Sequence, residues 1–289
     1  MKILVLGSNG QLGRCLADQF SGTDYETIFT SRADLDIADL SGAKDKITKL
    51  RPDLIINASA YTAVDKAEKD RDVAYLINHV AVANIAQICA ELGCGLIHMS
   101  TDYVFDGATT QPYKETDATN PKGVYGDSKL QGELAIQASG CQHLIIRTAW
   151  VFSEYGNNFL KTMLRLGSER NELSIVGDQI GCPTYAQDIA KTIVALVVPM
   201  QEQGFCSEIF HYCGDKACSW HEFAQAIFAA AAEGGLTVPE RVNAISSKEY
   251  PTPAARPAYS VLDCTSLAKT FELAPSDWQR AIPMVLSAL

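Results

Sequence analysis

The chain has 289 residues, 47% of them hydrophobic and 20% charged, which is long enough for a full α/β core and excludes a disordered chain. Its formal net charge of -10 excludes a general nucleic-acid surface, because such a surface needs a basic field to displace counterions. An anionic small molecule remains admissible where helix N-termini or a few aimed Arg and Lys side chains hold it.

The nine cysteines are Cys15, Cys89, Cys94, Cys141, Cys182, Cys206, Cys213, Cys218 and Cys264. They are odd in number, scattered through apolar stretches and never spaced C-x2-C, so neither a disulfide framework nor a zinc site is expected. Met1-Lys2 runs at once into a short apolar stretch and glycines, too short for a signal-peptide core, and no later stretch reads as a membrane span. A cytoplasmic protein with no membrane partner is the expectation.

Ile3-Leu4-Val5-Leu6 reads as a buried strand that ends in Gly7-Ser8-Asn9-Gly10-Gln11-Leu12-Gly13, followed by the amphipathic run Leu12, Leu16, Phe20. This strand, glycine turn and helix bring the backbone close to a pyrophosphate and set it at the positive end of a helix dipole. Gly7, Asn9, Gly10, Gln11, Leu12 and Gly13 are therefore cofactor-binding candidates. The strand Glu26-Thr27-Ile28-Phe29-Thr30 ends in Ser31-Arg32 where an NAD-specific protein usually carries an acid for the ribose hydroxyls. Arg32 suits a 2′-phosphate, which favours NADPH and leaves NADH open, and Asp36 with Ile37 is placed beside the adenine.

A helix over 43–50 ends at Pro52, and Leu54-Ile55-Ile56-Asn57 is a third strand. The small residues Ala58, Ser59 and Ala60 follow it, where a strand's carboxyl end opens on a cofactor crevice. A long helical pattern through Ala74, Ile77, Val80, Ala81, Ile85 and Ile88 leads to the strand before Ser100, and His143-Leu144-Ile145-Ile146-Arg147 is a fifth strand. This alternation demands a doubly wound parallel sheet of Rossmann type. Residues 1–152 form the dinucleotide-binding domain, rejoined by about 178–200, and 153–289 are mostly a smaller C-terminal α/β substrate-binding lobe. In that lobe 157–169, 186–198, 219–232 and 276–289 read as helices, 173–176 and 208–212 as strands, and the prolines of 250–257 force an extended path.

Tyr125 and Lys129 stand four positions apart on a predicted helix, so both side chains share one face. A free tyrosine has a pKa of roughly 10, and a neighbouring ammonium draws it towards the working range. Thr101 offers a hydroxyl to the same substrate oxygen. A structural tyrosine with a lysine lying along it has the same spacing, and the glycine turn tips the balance towards chemistry.

Gly7/Gly10/Gly13, Asn57-Ala58-Ser59-Ala60, Thr101 and Tyr125-x3-Lys129 together resemble the extended short-chain dehydrogenase/reductase family. Tyr61 to Glu68, Ser100 to Phe105, Arg147 to Phe152, Asn157-Asn158-Phe159 and Arg256-Pro257 resemble its dTDP-4-dehydrorhamnose reductase branch, in family order and over nearly the whole chain. The resemblance implies hydride transfer from NAD(P)H to C4 of dTDP-4-dehydro-L-rhamnose. It makes Tyr125 the proton donor, Lys129 the group that lowers its pKa and holds the nicotinamide ribose, and Thr101 the carbonyl-orienting hydroxyl. Thr62, Val64, Tyr103 and Trp150 would line the sugar site, and Asn158 and Arg256 would hold the nucleotide. Some members form a metal-bridged homodimer through a carboxylate early in the first helix. That helix begins Arg14-Cys15-Leu16-Ala17 here, so a homodimer stays open and no divalent metal is expected. Two other readings also stay open: a sugar-nucleotide epimerase or dehydratase that keeps its NAD, and a non-catalytic nucleotide-binding regulatory subunit.

Overall fold

Ile3 and Val5 leave the first strand on one side and Leu4 and Leu6 on the other, and all four are buried, as a strand covered on both faces requires. The computed structural model describes residues 1–203 and 207–289, so Cys206 lies outside the described residues. Five parallel strands follow the predicted rhythm: β1 (Lys2–Leu6), β2 (Glu26–Thr30), β3 (Leu54–Asn57), β4 (Gly95–Thr101) and β5 (His143–Thr148). The chain runs outward from β1 to β2 on one side and to β3, β4 and β5 on the other. That reversal opens a crevice at the carboxyl ends of the strands, where ligands of such sheets bind.

The alternation of side chains sorts the helices. Ile3, Val5, Ile56, Ile97 and Ile146 pack against Cys15, Leu16 and Phe20 of α1 (Gln11–Phe20) and against Ile189, Ile193 and Leu196 of the helix Ala186–Gln203. Leu4, Leu6, Ile55, Leu96 and Ile145 meet Ile47 of α2 (Leu40–Leu50), Val82 and Ile85 of the helix Arg71–Leu92, and Ile136 of the helix Val124–Ser139. The sheet is doubly wound, as the sequence implies.

Three features depart from the sequence reading. A sixth parallel strand, Glu208–His211, lies beside β5 with Phe210 opposite Ile146, although residues 208–212 read as part of the small lobe. The completely buried Phe210 contributes to the same core as α1, so the chain returns to the sheet beyond 178–200. The helix Arg71–Leu92 contains a π turn at Leu76–Val80. The extra residue advances the helical phase, and so Asn78 is buried where the apolar pattern placed Val80, which is 39% exposed. That helix is also long and apolar enough to cross a membrane by length and composition, which the sequence reading overlooked; here it packs on the sheet through Ala81, Val82, Ile85 and Ala86.

The smaller lobe joins helix Phe159–Glu169, helix Trp220–Glu233 and helix Trp278–Ser287 to a parallel pair of strands, Glu172–Val176 and Arg241–Ile245. Its core centres on Phe152, Leu160, Phe223, Ile227, Trp278 and Ile282. Ser219 caps Trp220–Glu233 through a reciprocal bond with Glu222. The proline segment crosses back to the first domain, where Ala254 N–H donates to the Asp65 carboxylate at 3.3 Å.

Candidate active site

The glycine turn is shaped by close contact. Gly7 has φ +83°, and a Cβ there would lie 2.8 Å from Ser59 N, so only glycine lets the first turn lie against the end of β3. A Cβ on Gly13 would collide with Gly7 O. Gly13 thus serves the turn from beneath. Gly10 caps α1 without any side-chain hydrogen bond, and the first helical turn holds no acid. Its N–H groups are left for an anion.

Around this turn lies a cleft of about 560 Å³, lined by Gly7, Asn9, Gly10, Gln11, Leu12, Arg32, Asp36, Ile37, Ala58, Ser59, Ala60, Thr62, Tyr125 and Lys129. Of the cofactor candidates only Gly13 stands outside it. Arg32 is largely exposed and pairs with Asp36 at 3.0 Å, and Asp36 also accepts from Ala38 N–H, the leading cause that holds its carboxyl below the usual range. The cleft also takes in residues that the sequence did not single out, among them Leu35, Met99, Thr148, Val151 and Asn157. Their signal was weak because each is an ordinary strand-end or loop residue until the sheet brings the ends together.

Tyr125 and Lys129 reach the cleft from the first turns of the helix Val124–Ser139, which Gly126 seats against Tyr103 O; a Cβ there would collide with that oxygen. Lys129 is 2% exposed, donates to Met99 O at 2.6 Å and lies 3.1 Å from His98 Nε2. Burial pulls its pKa down to about 8, and Glu133 one turn away opposes that. For Tyr125, burial drives the phenol upward and the Thr101 hydroxyl pulls it back. The expected acidifying effect of Lys129 does not prevail here: withdrawal of the phenol from water is the leading influence, and Asp102 and Tyr103 push the same way. Thr101 also donates to Asp102 Oδ1 at 3.0 Å. Asp102 is buried with Oδ2 unpartnered, and burial lifts its pKa to about 6.

The expected sugar-site residues are spread more widely. Thr62 lines the cleft, and Tyr103 sets its ring edge-on to Tyr125 at 5.6 Å. Arg256 pairs with Asp65 at 2.7 Å and lies 3.4 Å from the Tyr103 hydroxyl, while Val64 opens the short turn that carries Asp65. Trp150 has φ 45° and stacks on Trp220 at 3.5 Å, so much of its face is taken up by that partner. Asn158 caps Phe159–Glu169 by accepting from Lys161 N–H and donates to Gln11 Oε1 and Ser153 O, which ties the lobe to the glycine turn.

A family model described as the RmlD substrate binding domain matches residues 1–289. The dTDP-4-dehydrorhamnose reductase of Aggregatibacter actinomycetemcomitans is 42% identical over 288 residues, covering 97% of each chain. The chain belongs to the dTDP-4-dehydrorhamnose reductase family. The solved structure of a dTDP-4-dehydrorhamnose reductase from Clostridium acetobutylicum matches with a TM-score of 0.92 at 38% identity, over 99% of both chains. That of Bacillus anthracis, in complex with NADP, matches with a TM-score of 0.91 at 36% identity, over 100% of this chain and 99% of the other. Membership of this reductase family carries with it the extended short-chain dehydrogenase/reductase fold that the glycine turn and the Tyr-x3-Lys spacing announced.

Proposed function

We propose that the chain reduces the C4 keto group of dTDP-4-dehydro-L-rhamnose to the alcohol of dTDP-L-rhamnose, with NADPH as the favoured reductant. The observation that carries this reading is that the glycine turn, Tyr125 and Lys129 meet on one cleft. The residues fit a dinucleotide. The uncapped start of α1 suits the pyrophosphate, Arg32 suits a 2′-phosphate, and Ala58, Ser59 and Ala60 allow close approach. Bound there, the reduced nicotinamide supplies the hydride.

The chain's own residues handle position and protons. Tyr125 holds a proton on a phenol whose pKa is raised by burial, so it is protonated at neutral pH and ready to give that proton to the developing alkoxide. Thr101 would turn its hydroxyl, which here donates to Asp102 Oδ1 at 3.0 Å, to the same oxygen, and Lys129 would stabilise the phenolate left behind. Arg256, held by Asp65 beside Tyr103, is placed to meet the anionic part of a sugar nucleotide.

The test is consumption of NADPH with the dehydrorhamnose nucleotide supplied, followed by the loss of reduced-nicotinamide absorbance. Tyr125→Phe is expected to lower kcat by about 10²–10⁴-fold, the scale of general acid catalysis, with cofactor affinity retained. Unchanged turnover in that variant removes Tyr125 from its assigned role.

A further inference from the structure

Beneath Lys129 runs a chain of hydrogen bonds with no room for an extra hydrogen. Asn57 ends β3 and His98 lies in β4, directly opposite it in register, and both are completely buried. Ser59 N–H donates to Asn57 Oδ1 at 3.1 Å, and the Ser59 hydroxyl donates to the same oxygen at 2.5 Å. A backbone N–H is always a donor, so Oδ1 must face Ser59 and Nδ2 must face the ring. Asn57 Nδ2 stands 3.1 Å from His98 Nδ1, which therefore accepts. The ring is neutral, because burial holds it well below its usual pKa, and its one hydrogen is then on Nε2. That hydrogen points at Lys129 Nζ, 3.1 Å away.

An ammonium has three donors and no acceptor, whereas a neutral amine has a lone pair for the Nε2 hydrogen. With Lys129 charged, the chain has donors at both ends. Turning the Asn57 amide over relieves the lysine end and sets two donors against each other at Ser59.

We propose that Asn57 and His98 are positioning residues for Lys129: by fixing the Nε2–H tautomer, the chain from Ser59 weakens Lys129's hold on its proton. Burial has the same sign, and the hydrogen-bond chain adds to it. The other ionisable neighbours are Tyr125 and Glu133 on its own helix; Glu133 is paired with Arg147 of β5 at 2.6 Å and acts on Lys129 in the opposite direction. Ser59 also lines the cofactor cleft, so the chain links that cleft to the charge on Lys129. The meaning of that charge for catalysis rests on the reductase reading; the tautomer and the titration do not.

The test uses the full-length protein and nuclear magnetic resonance. Long-range ¹H–¹⁵N correlation of the imidazoles reads which ring nitrogen of His98 carries hydrogen, and the ¹³Cε shift of Lys129 against pH reads its titration. The native protein is expected to show the Nε2–H form. In Asn57→Asp a carboxylate accepts from both Ser59 N–H and the ring, so His98 should move to the Nδ1–H form and Lys129 should titrate at least one pH unit higher. A native Nδ1–H tautomer overturns the proposal. So does an Asn57→Asp protein with switched tautomer and unmoved Lys129 titration. If that variant does not fold, the native tautomer alone decides. Absence of reductase turnover with the Nε2–H tautomer present would count against the proposed function and leave this inference standing.

Discussion

Lys129 is held where a charge is expensive. Its pKa of about 8 lies below the roughly 10.4 of an exposed lysine, so the unfolded chain binds the proton more tightly between those values. The sign follows directly: the cost to stability is full below pH 8, and stability rises with pH through the window from about 8 to about 10.5. Lys129→Met, an apolar side chain of similar length, is therefore expected to stabilise the fold at pH 7 by on the order of 2 kcal/mol in urea denaturation while abolishing turnover, since each tenfold weakening of proton binding corresponds to about 1.4 kcal/mol. A destabilised Lys129→Met protein would show that packing at this position outweighs the cost of the charge. The legibility of the site divides at this scale as well. Tyr125 and Lys129 were visible because helical periodicity alone places them on one face, and Gly7 because a glycine turn between strand and helix is local. Asn57 and His98 were not singled out as Lys129's partners, since they meet only through the register of β3 and β4, and the capping role of Asn158 was not legible because a cap and a ligand-binding amide look alike in sequence.

The helix Val124–Ser139 delivers both cleft residues, and one buried ion pair fastens it to the sheet. Arg147 of β5 donates through Nε and Nη2 to Glu133, with side chains 3% and 1% exposed, and its guanidinium lies 5.1 Å from the Phe105 ring centroid. Glu133→Gln leaves the guanidinium charged and without its counter-ion in a dry site, a change that costs about 3–5 kcal/mol. Urea denaturation measures that loss. Glu133 is also the group that raises Lys129's pKa, so in protein that still folds the Lys129 titration should move to lower pH. An upward shift would contradict the assigned electrostatics. The predicted elements were nearly complete for the parallel strands, where unbroken apolar runs are enough. The π turn was not legible, because one added hydrogen-bond step at Leu76–Val80 leaves no mark in composition and appears only as Asn78 inside and Val80 outside.

At the scale of the molecule, the two lobes meet above the strand ends through an apolar cluster that joins Val261 and Leu262 to Phe105 and Tyr113, and through polar contacts. Asn158 and Ser153 reach Gln11 in the glycine turn, and Arg256 on the proline segment reaches Asp65 and Tyr103. Polar contacts of this kind can be exchanged for contacts with a ligand at small net cost, whereas the apolar cores of the two lobes cannot. Arg256 is 24% exposed at its side chain, so its pair with Asp65 is partly screened and the guanidinium is accessible to a more strongly charged partner. A diphosphate carries more charge than Asp65 and offers the same planar donors a bidentate partner. Arg256→Ala should then raise KM for the sugar nucleotide by about tenfold or more, the scale of a lost hydrogen bond to a charged group, while the dissociation constant of NADPH stays nearly the same. Arg256→Lys keeps the charge but loses the fork, and should recover only part of the affinity. Steady-state kinetics with separate cofactor titration distinguishes the outcomes. Equal weakening of both ligands would mean that Arg256 acts by holding the lobes together through Asp65, and Asp65→Asn would then reproduce the effect.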